Sequence, residues 1–245
     1  DVCSSDLPWW TMGMTMTAIH LAGLQNLMLY MYDSPDGLHR LMDFLKQDHM
    51  ALLDWMEAEN LLNLNNRNDY VGSGSVGYSD ELGTPPSEHV RISDLWGLSE
   101  SQETVGVSPD LFEEFVFKYQ QPVIERFGLC YYGCCEPVHT RWHVIKKLRN
   151  LRKISISPWC DEEAIAPEIG PDYVYCRKPN PTLISTESFD EDAIRRDLRH
   201  TLDVCRAHHC PLEIAMKDVH TVNHEPARLA RWVELAREEI ARHWS

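Results

Sequence analysis

Short apolar runs alternate along this chain with amphipathic stretches, the pattern of repeated βα units that feed a parallel sheet. The clearest helical stretch follows Ser34-Pro35, where Leu38, Leu41, Met42, Leu45, His49, Leu52, Leu53 and Met56 recur at three- and four-residue spacing. Ser34 stands where a cap is needed and Pro35 suits the first turn. The same spacing predicts a helix from Pro109 to about Phe127, on the stripe Leu111, Phe112, Phe115, Val116 and Tyr119. Further helices are predicted from about Thr140 to Leu151, from Phe189 to His208 and from Pro226 to Trp244, with a shorter one from Glu162 to Glu168. Between them, strands are predicted at Leu61–Asn65, Ile92–Leu98, Leu129–Cys134, Lys153–Ser157, Tyr173–Cys176 and Leu212–Lys217. The stretch from Val71 to His89 is rich in Gly, Ser and Pro, has no apolar period, and reads as a long loop over a site.

Strands interleaved with helices over 245 residues fit a single α/β domain, and the expected fold is a (β/α)8 barrel, the TIM barrel. A closed barrel needs eight strands and about six βα units are visible, so the first two are expected to be missing at the front, where no Met opens the chain. The opening residues Asp1-Val2-Cys3-Ser4-Ser5-Asp6-Leu7 match the translation of a common sequencing adapter and read as foreign. Residues 8–245 are then the C-terminal part of one incomplete barrel.

Composition narrows the function classes. A formal charge of −15 argues against a sequence-independent grip on nucleic acid, which depends on Lys and Arg neutralising phosphates. The apolar stretch from Met12 to Met31 is interrupted by Thr, His, Gln and Asn, so no membrane span is expected. Eight cysteines are too sparse for a disulfide-stapled scaffold, and reduced thiols in a cytoplasmic protein are the expectation.

In a (β/α)8 barrel the reacting groups sit at the C-terminal ends of strands and in the loops that follow. Four clusters occupy such positions. They are Trp96 to Glu103 with Glu100; Tyr131 to Pro137 with Cys134, Cys135 and Glu136; Ser157 to Asp161 with Trp159; and Lys217, Asp218 and His220. Thiolate, carboxylate and imidazole are the ligands that tetrahedral Zn²⁺ takes, so Cys134, Cys135, Glu136 and His220 are the candidate metal ligands. Glu100, Lys217 and Asp218 are the candidate catalytic groups, and Trp96 and Trp159 could stack on a cofactor or substrate at the mouth. The alternative is that Lys217, Arg177 and Lys178 position the carboxylates of an organic acid, and that single cysteines simply pack a core. His139 and His143, at i and i+4 beside Lys146, Lys147 and Arg149, read as a surface face.

The stretch Ser108-Pro109-Asp110-Leu111-Phe112-Glu113-Glu114-Phe115-Val116 with Tyr119, and the upstream Tyr32-Asp33-Ser34-Pro35 with Leu38, His39, Leu41 and Met42, resemble the uroporphyrinogen-decarboxylase superfamily. Within it, the zinc- and corrinoid-dependent methyltransferases are nearest. That resemblance implies an enzyme passing a methyl group between a corrinoid protein and a zinc-activated thiol such as coenzyme M. Those enzymes hold zinc with a His-x-Cys motif at one strand end and a second Cys after the last strand. Cys134 falls on the first cysteine, but Tyr132 stands where the histidine would be, and no cysteine lies near Asp218. Two other functions stay open: a decarboxylase acting on a small-molecule tetrapyrrole, and a non-catalytic barrel that binds a corrinoid or a partner protein.

Overall fold

The structure is a computed structural model and describes residues 11–82 and 89–244; the adapter-like opening residues and part of the expected 71–89 loop lie outside the described residues. It is a mixed α/β fold in two compact units. Residues up to 136, together with 140–152, form unit 1, and residues 137–139 with 153 onward form unit 2. No helix among the described residues is long and apolar enough to cross a membrane.

Unit 1 holds three parallel strands, β1 (Thr11–Met12), β4 (Trp96–Ser99) and β5 (Leu129–Tyr132). Trp96 lies opposite Leu129 and Ser99 opposite Tyr132, so the two longer strands end level with one another. All eight residues of β4 and β5 are buried, as expected of a parallel strand covered on both faces. Three helices precede them: α1 (Met14–Ala22), α2 (Leu24–Asp33) and α3 (Pro35–Ala58). The predicted stripe buries Leu38, Met42, Leu45, Leu53 and Met56 in α3, and Pro35 takes the first turn. Ser34 occupies the cap position, yet its side chain makes no capping hydrogen bond.

Three expectations for unit 1 are corrected. Leu61–Asn65 is not a strand. Instead, the Asn65 side chain imitates one: its Nδ2 donates to the Trp96 carbonyl and its Oδ1 accepts from the Trp96 N–H, both at 2.9 Å. Gly77 permits this approach, because a Cβ there would lie 2.1 Å from the Asn65 carbonyl oxygen. The stretch read as a loop contains an antiparallel hairpin, β2 (Arg67–Gly72) and β3 (Ser75–Tyr78). Its two-residue turn has both Ser73 and Gly74 at positive φ, the geometry that matches strand twist. The helix expected from about Thr140 to Leu151 shrinks to a 3-10 turn at Val138–Arg141 and α6 (Trp142–Ile145), and a strand already begins at Leu151. The helix expected from Pro109 is present as α4 (Pro109–Phe112) and α5 (Lys118–Ile124), joined by a π turn over Glu113–Phe117.

Unit 2 takes the greater part of β6 (Leu151–Ile156) and holds β7 (Val174–Arg177) and β8 (Leu212–Ile214), again parallel. Its helices are α7 (Glu162–Ile169), α8 (Thr182–Ser185), α9 (Glu191–Ala207) and α10 (Ala227–His243). Asp161 caps α7 through the Ala164 N–H and Asp190 caps α9 through the Ala193 N–H, at 3.0 and 2.9 Å. The core joins Ile184, Ile194 and Leu198 to Trp232, Leu235 and Ala236, which fixes α10 against α8 and α9. On the same interface the buried Glu239 of α10 accepts from Arg195 and Arg199 of α9, each at 2.6 Å. Those guanidinium groups, Arg199 first, outweigh burial and hold the Glu239 carboxyl down at about 2.

Two stability predictions follow from these contacts. Asn65→Ala leaves the N–H and C=O of Trp96 without their side-chain partner, so urea unfolding is expected to show a loss of about 3 kcal/mol. For Glu239, the lowered pKa means that its stabilisation is complete above the ordinary value of 4.5 and is lost as pH falls toward 2. Glu239→Gln is therefore expected to be less stable than the wild type at pH 7, with the gap closing below pH 4.5 in urea titrations across that range.

Candidate functional site

Strands β4 and β5 deliver their last residues to the same level, and the loops after them carry Glu100 and the run Cys134-Cys135-Glu136. Gly133, at φ 100, turns the chain directly after β5, and its N–H donates to the Ser99 carbonyl at 2.8 Å. This turn lets Glu136 fold back. Its Oε1 accepts from the Ser101 N–H at 2.9 Å and its Oε2 from the Cys134 N–H at 2.7 Å. One carboxylate thus ties the two loops together. Glu136 is only 1% exposed, and burial raises its pKa against the pull of these amides.

Glu100 is 6% exposed and accepts from the Gln102 N–H at 3.0 Å. Burial first, and then the charge of Glu136, push its carboxyl up to about 8; the fields of Glu103 and the Cys134 thiol act in the same direction. At neutral pH Glu100 therefore holds its proton for most of the time, beside thiols that are half-buried. The Cys134 and Cys135 sulfurs lie 3.7 Å apart, and no disulfide links cysteines among the described residues.

Around this pair stand residues that the sequence did not single out. Arg141 is buried, donates from Nη1 to the Ser101 carbonyl at 3.4 Å and to Thr104 Oγ1 at 3.1 Å, and lies over the Phe112 ring at 4.5 Å. Gln120, buried on α5, donates to the Glu100 carbonyl at 2.7 Å. Thr15 of α1 donates to Glu103 at 2.7 Å. Arg141 and Gln120 sit in helical or turn surroundings, where periodicity speaks only of packing, so no strand-end argument could have found them. The Tyr132 hydroxyl is buried and has no hydrogen-bond partner among the described residues, and burial drives its pKa well above the ordinary tyrosine value.

Trp96 is 1% exposed, and its indole N–H donates to Asn66 Oδ1 at 2.7 Å, so its ring belongs to the core of unit 1. In unit 2, Trp159 follows β6 and is 68% exposed. Lys217 and Asp218 come after β8, with Lys217 Nζ 3.2 Å from Asp218 Oδ2 and Asp218 at φ 58. His220 is exposed. His139 accepts the Asp161 N–H through Nδ1 at 3.1 Å, at the start of α7, and His143 is exposed.

Zinc is the metal that the candidate residues suggest. Within unit 1 the available donors are Glu100, Glu136 and the two adjacent thiols, and both Glu136 oxygens already accept backbone amides. Among the described residues no three His, Cys, Asp or Glu side chains group in a way that would hold a metal ion. The donor set of unit 1 does not fit a tetrahedral zinc site. What it does supply is proton transfer, through a buried carboxyl poised near the acidity of a thiol.

The raised pKa of Glu100 makes a signed prediction. Between pH 4.5 and about 8 the folded chain keeps a proton on Glu100 that the unfolded chain loses, so this group removes stability as pH rises through that window. Compared with wild type, Glu100→Gln is expected to gain stability from pH 5 to pH 8.5 in urea titrations. A difference that stays constant across that range would show that Glu100 titrates normally.

No family model matches the chain and no curated protein matches it, so the site is read from its own chemistry.

Proposed function

We propose that this chain is a (β/α)8-barrel enzyme of the uroporphyrinogen-decarboxylase kind that methylates a small thiol, with Glu100 as the base. The reading is supported by parallel strands alternating with helices in each unit, and by reactive residues in the loops after strand ends. One observation carries it: a buried carboxyl held at about 8 beside Glu136. A free thiol titrates at roughly 8.5, so transfer of its proton to Glu100 is nearly balanced, the condition under which a general base works best. In a zinc enzyme the metal would deprotonate the thiol; here Glu100 does so by accepting the proton. Glu136 stays anchored to the Ser101 and Cys134 amides and sets the basicity of Glu100 through its charge. A corrinoid borne by a partner protein would supply the methyl group.

The test is formation of methyl thioether from methylcobalamin and coenzyme M by the purified chain. Activity is expected to climb with pH and reach half its plateau near pH 8 as Glu100 ionises, and Glu100→Gln is expected to lose about 100-fold or more. The rival decarboxylase needs Glu100 protonated to quench a carbanion, so turnover of uroporphyrinogen would instead fall above pH 8. A pH-independent rate, or full activity in Glu100→Gln, defeats the assignment of the base.

A further inference from the structure

A second pair of thiols, remote in sequence from the candidate site, is brought together by the way α9 ends. The helix closes at Ala207 with His208 as its C-cap, and His209 follows in the left-handed conformation at φ 58. The His209 N–H donates to the Arg206 carbonyl at 3.3 Å, and the Cys210 N–H reaches back to the Cys205 carbonyl at 2.9 Å. These are the two hydrogen bonds of a Schellman motif, in which the side chains at the positions of Cys205 and Cys210 commonly meet. Usually that contact is between two apolar residues. Here both positions are cysteines, and the two thiols shift one another's titration in opposite directions.

The backbone bond between the same two residues closes the turn on them, and a disulfide needs Cα atoms only roughly 4.4–6.8 Å apart. A cavity of about 320 Å³ reaches both, lined also by Arg206, His209, Pro211 and Trp244. The two side chains are themselves 0% and 1% exposed, so only a reagent entering that cavity meets them. No third metal-binding donor joins them among the described residues, which separates the pair from a metal site.

We propose that Cys205 and Cys210 are a redox-active dithiol, oxidised to an intramolecular disulfide by an anionic low-molecular-weight disulfide that enters this cavity beside Arg206. Cys210 is the attacking sulfur. Its thiol is pushed down, by Cys205 first and then by the Gly170 amide against burial, while Cys205 is pushed up; when protonated, Cys210 donates to the Ala166 carbonyl at 3.4 Å. The Cys210 thiolate attacks one sulfur of the small disulfide and expels the first thiolate. Cys205 then gives up its proton and attacks the Cys210 sulfur of the mixed disulfide, expelling the second. In sum, two protein thiols lose two protons and two electrons, and the small disulfide gains them as two thiols.

The measurement is equilibration of the folded, full chain in buffers of graded glutathione to glutathione disulfide ratio, followed by acid quench, alkylation and peptide mass spectrometry. Cys205 and Cys210 are expected to lose alkylation together, in one two-electron transition, giving a linked Cys205–Cys210 peptide two hydrogens lighter than the reduced pair. In Cys205→Ser, Cys210 is expected to retain one glutathione. Wild-type chain in which both sulfurs stay alkylatable at every ratio, or in which Cys210 accumulates glutathione without closing on Cys205, overturns the proposal; neither readout depends on the variant folding.

Discussion

A carboxylate taken out of water is costly unless donors meet it, and in unit 1 the backbone N–H groups of Ser101 and Cys134 meet Glu136. Ser101 and Cys134 provide them from the loops after β4 and β5, so the charge can exist only where those loops come together. The consequence runs in both directions. The loops are held by the carboxylate, and the retained charge makes a second carboxylate next to it unfavourable. Glu100 answers by keeping its proton into the neutral range. Two neighbouring buried acids are thereby held differently, Glu136 by the amides of Ser101 and Cys134 and Glu100 by that of Gln102.

The same residue type behaves in the opposite way in unit 2. Glu239 is as buried as Glu136, yet Arg195 and Arg199 face it and its pKa falls. Glu191, paired with Arg231 along the same two helices, shifts in the same direction. These carboxylates are ionised at every physiological pH and serve to join α9 to α10. A buried acid answered by guanidinium groups is fixed, whereas one answered by a single amide and a neighbouring negative charge remains able to trade its proton. That contrast, more than position at a strand end, distinguishes Glu100 from the other acids of the chain.

Much of the framework could be read from residue spacing because burial itself is periodic. The stripes of α3, α9 and α10 and the apolar runs of β5, β6 and β7 lie where periodicity puts them. Failures occurred where a side chain or a turn replaces the regular ladder. Leu61–Asn65 looks like a strand, but it reaches its neighbour through the Asn65 amide instead of its own backbone. The hairpin at Arg67–Tyr78 was hidden because Arg67, Asn68, Asp69 and Tyr70 all face solvent and the Ser73-Gly74 turn resembles loop sequence. Of the site, Glu100, Cys134 and Glu136 were visible as polar residues at strand ends. Arg141 and Gln120 were not, since their roles arise from contacts 20 or more residues away, with Ser101, Thr104 and Glu100.

The thiols follow the same accounting as the acids. Burial outweighs a single backbone donor and pushes the thiol up at Cys130, and at Cys160 to about 12, and such sulfurs act as small apolar groups. Cys210 is equally hidden, yet Cys205 first and then the Gly170 amide push it down against burial. The origin of that difference is local backbone geometry: a helix that ends with His209 in a left-handed turn must bring the residues on either side of the turn together. Reactivity at both places thus comes from the few donors or charges that a particular turn brings to a buried group. At Glu100 they are the charge carried by Glu136 and the amide of Gln102; at Cys210 they are a second thiol and one amide.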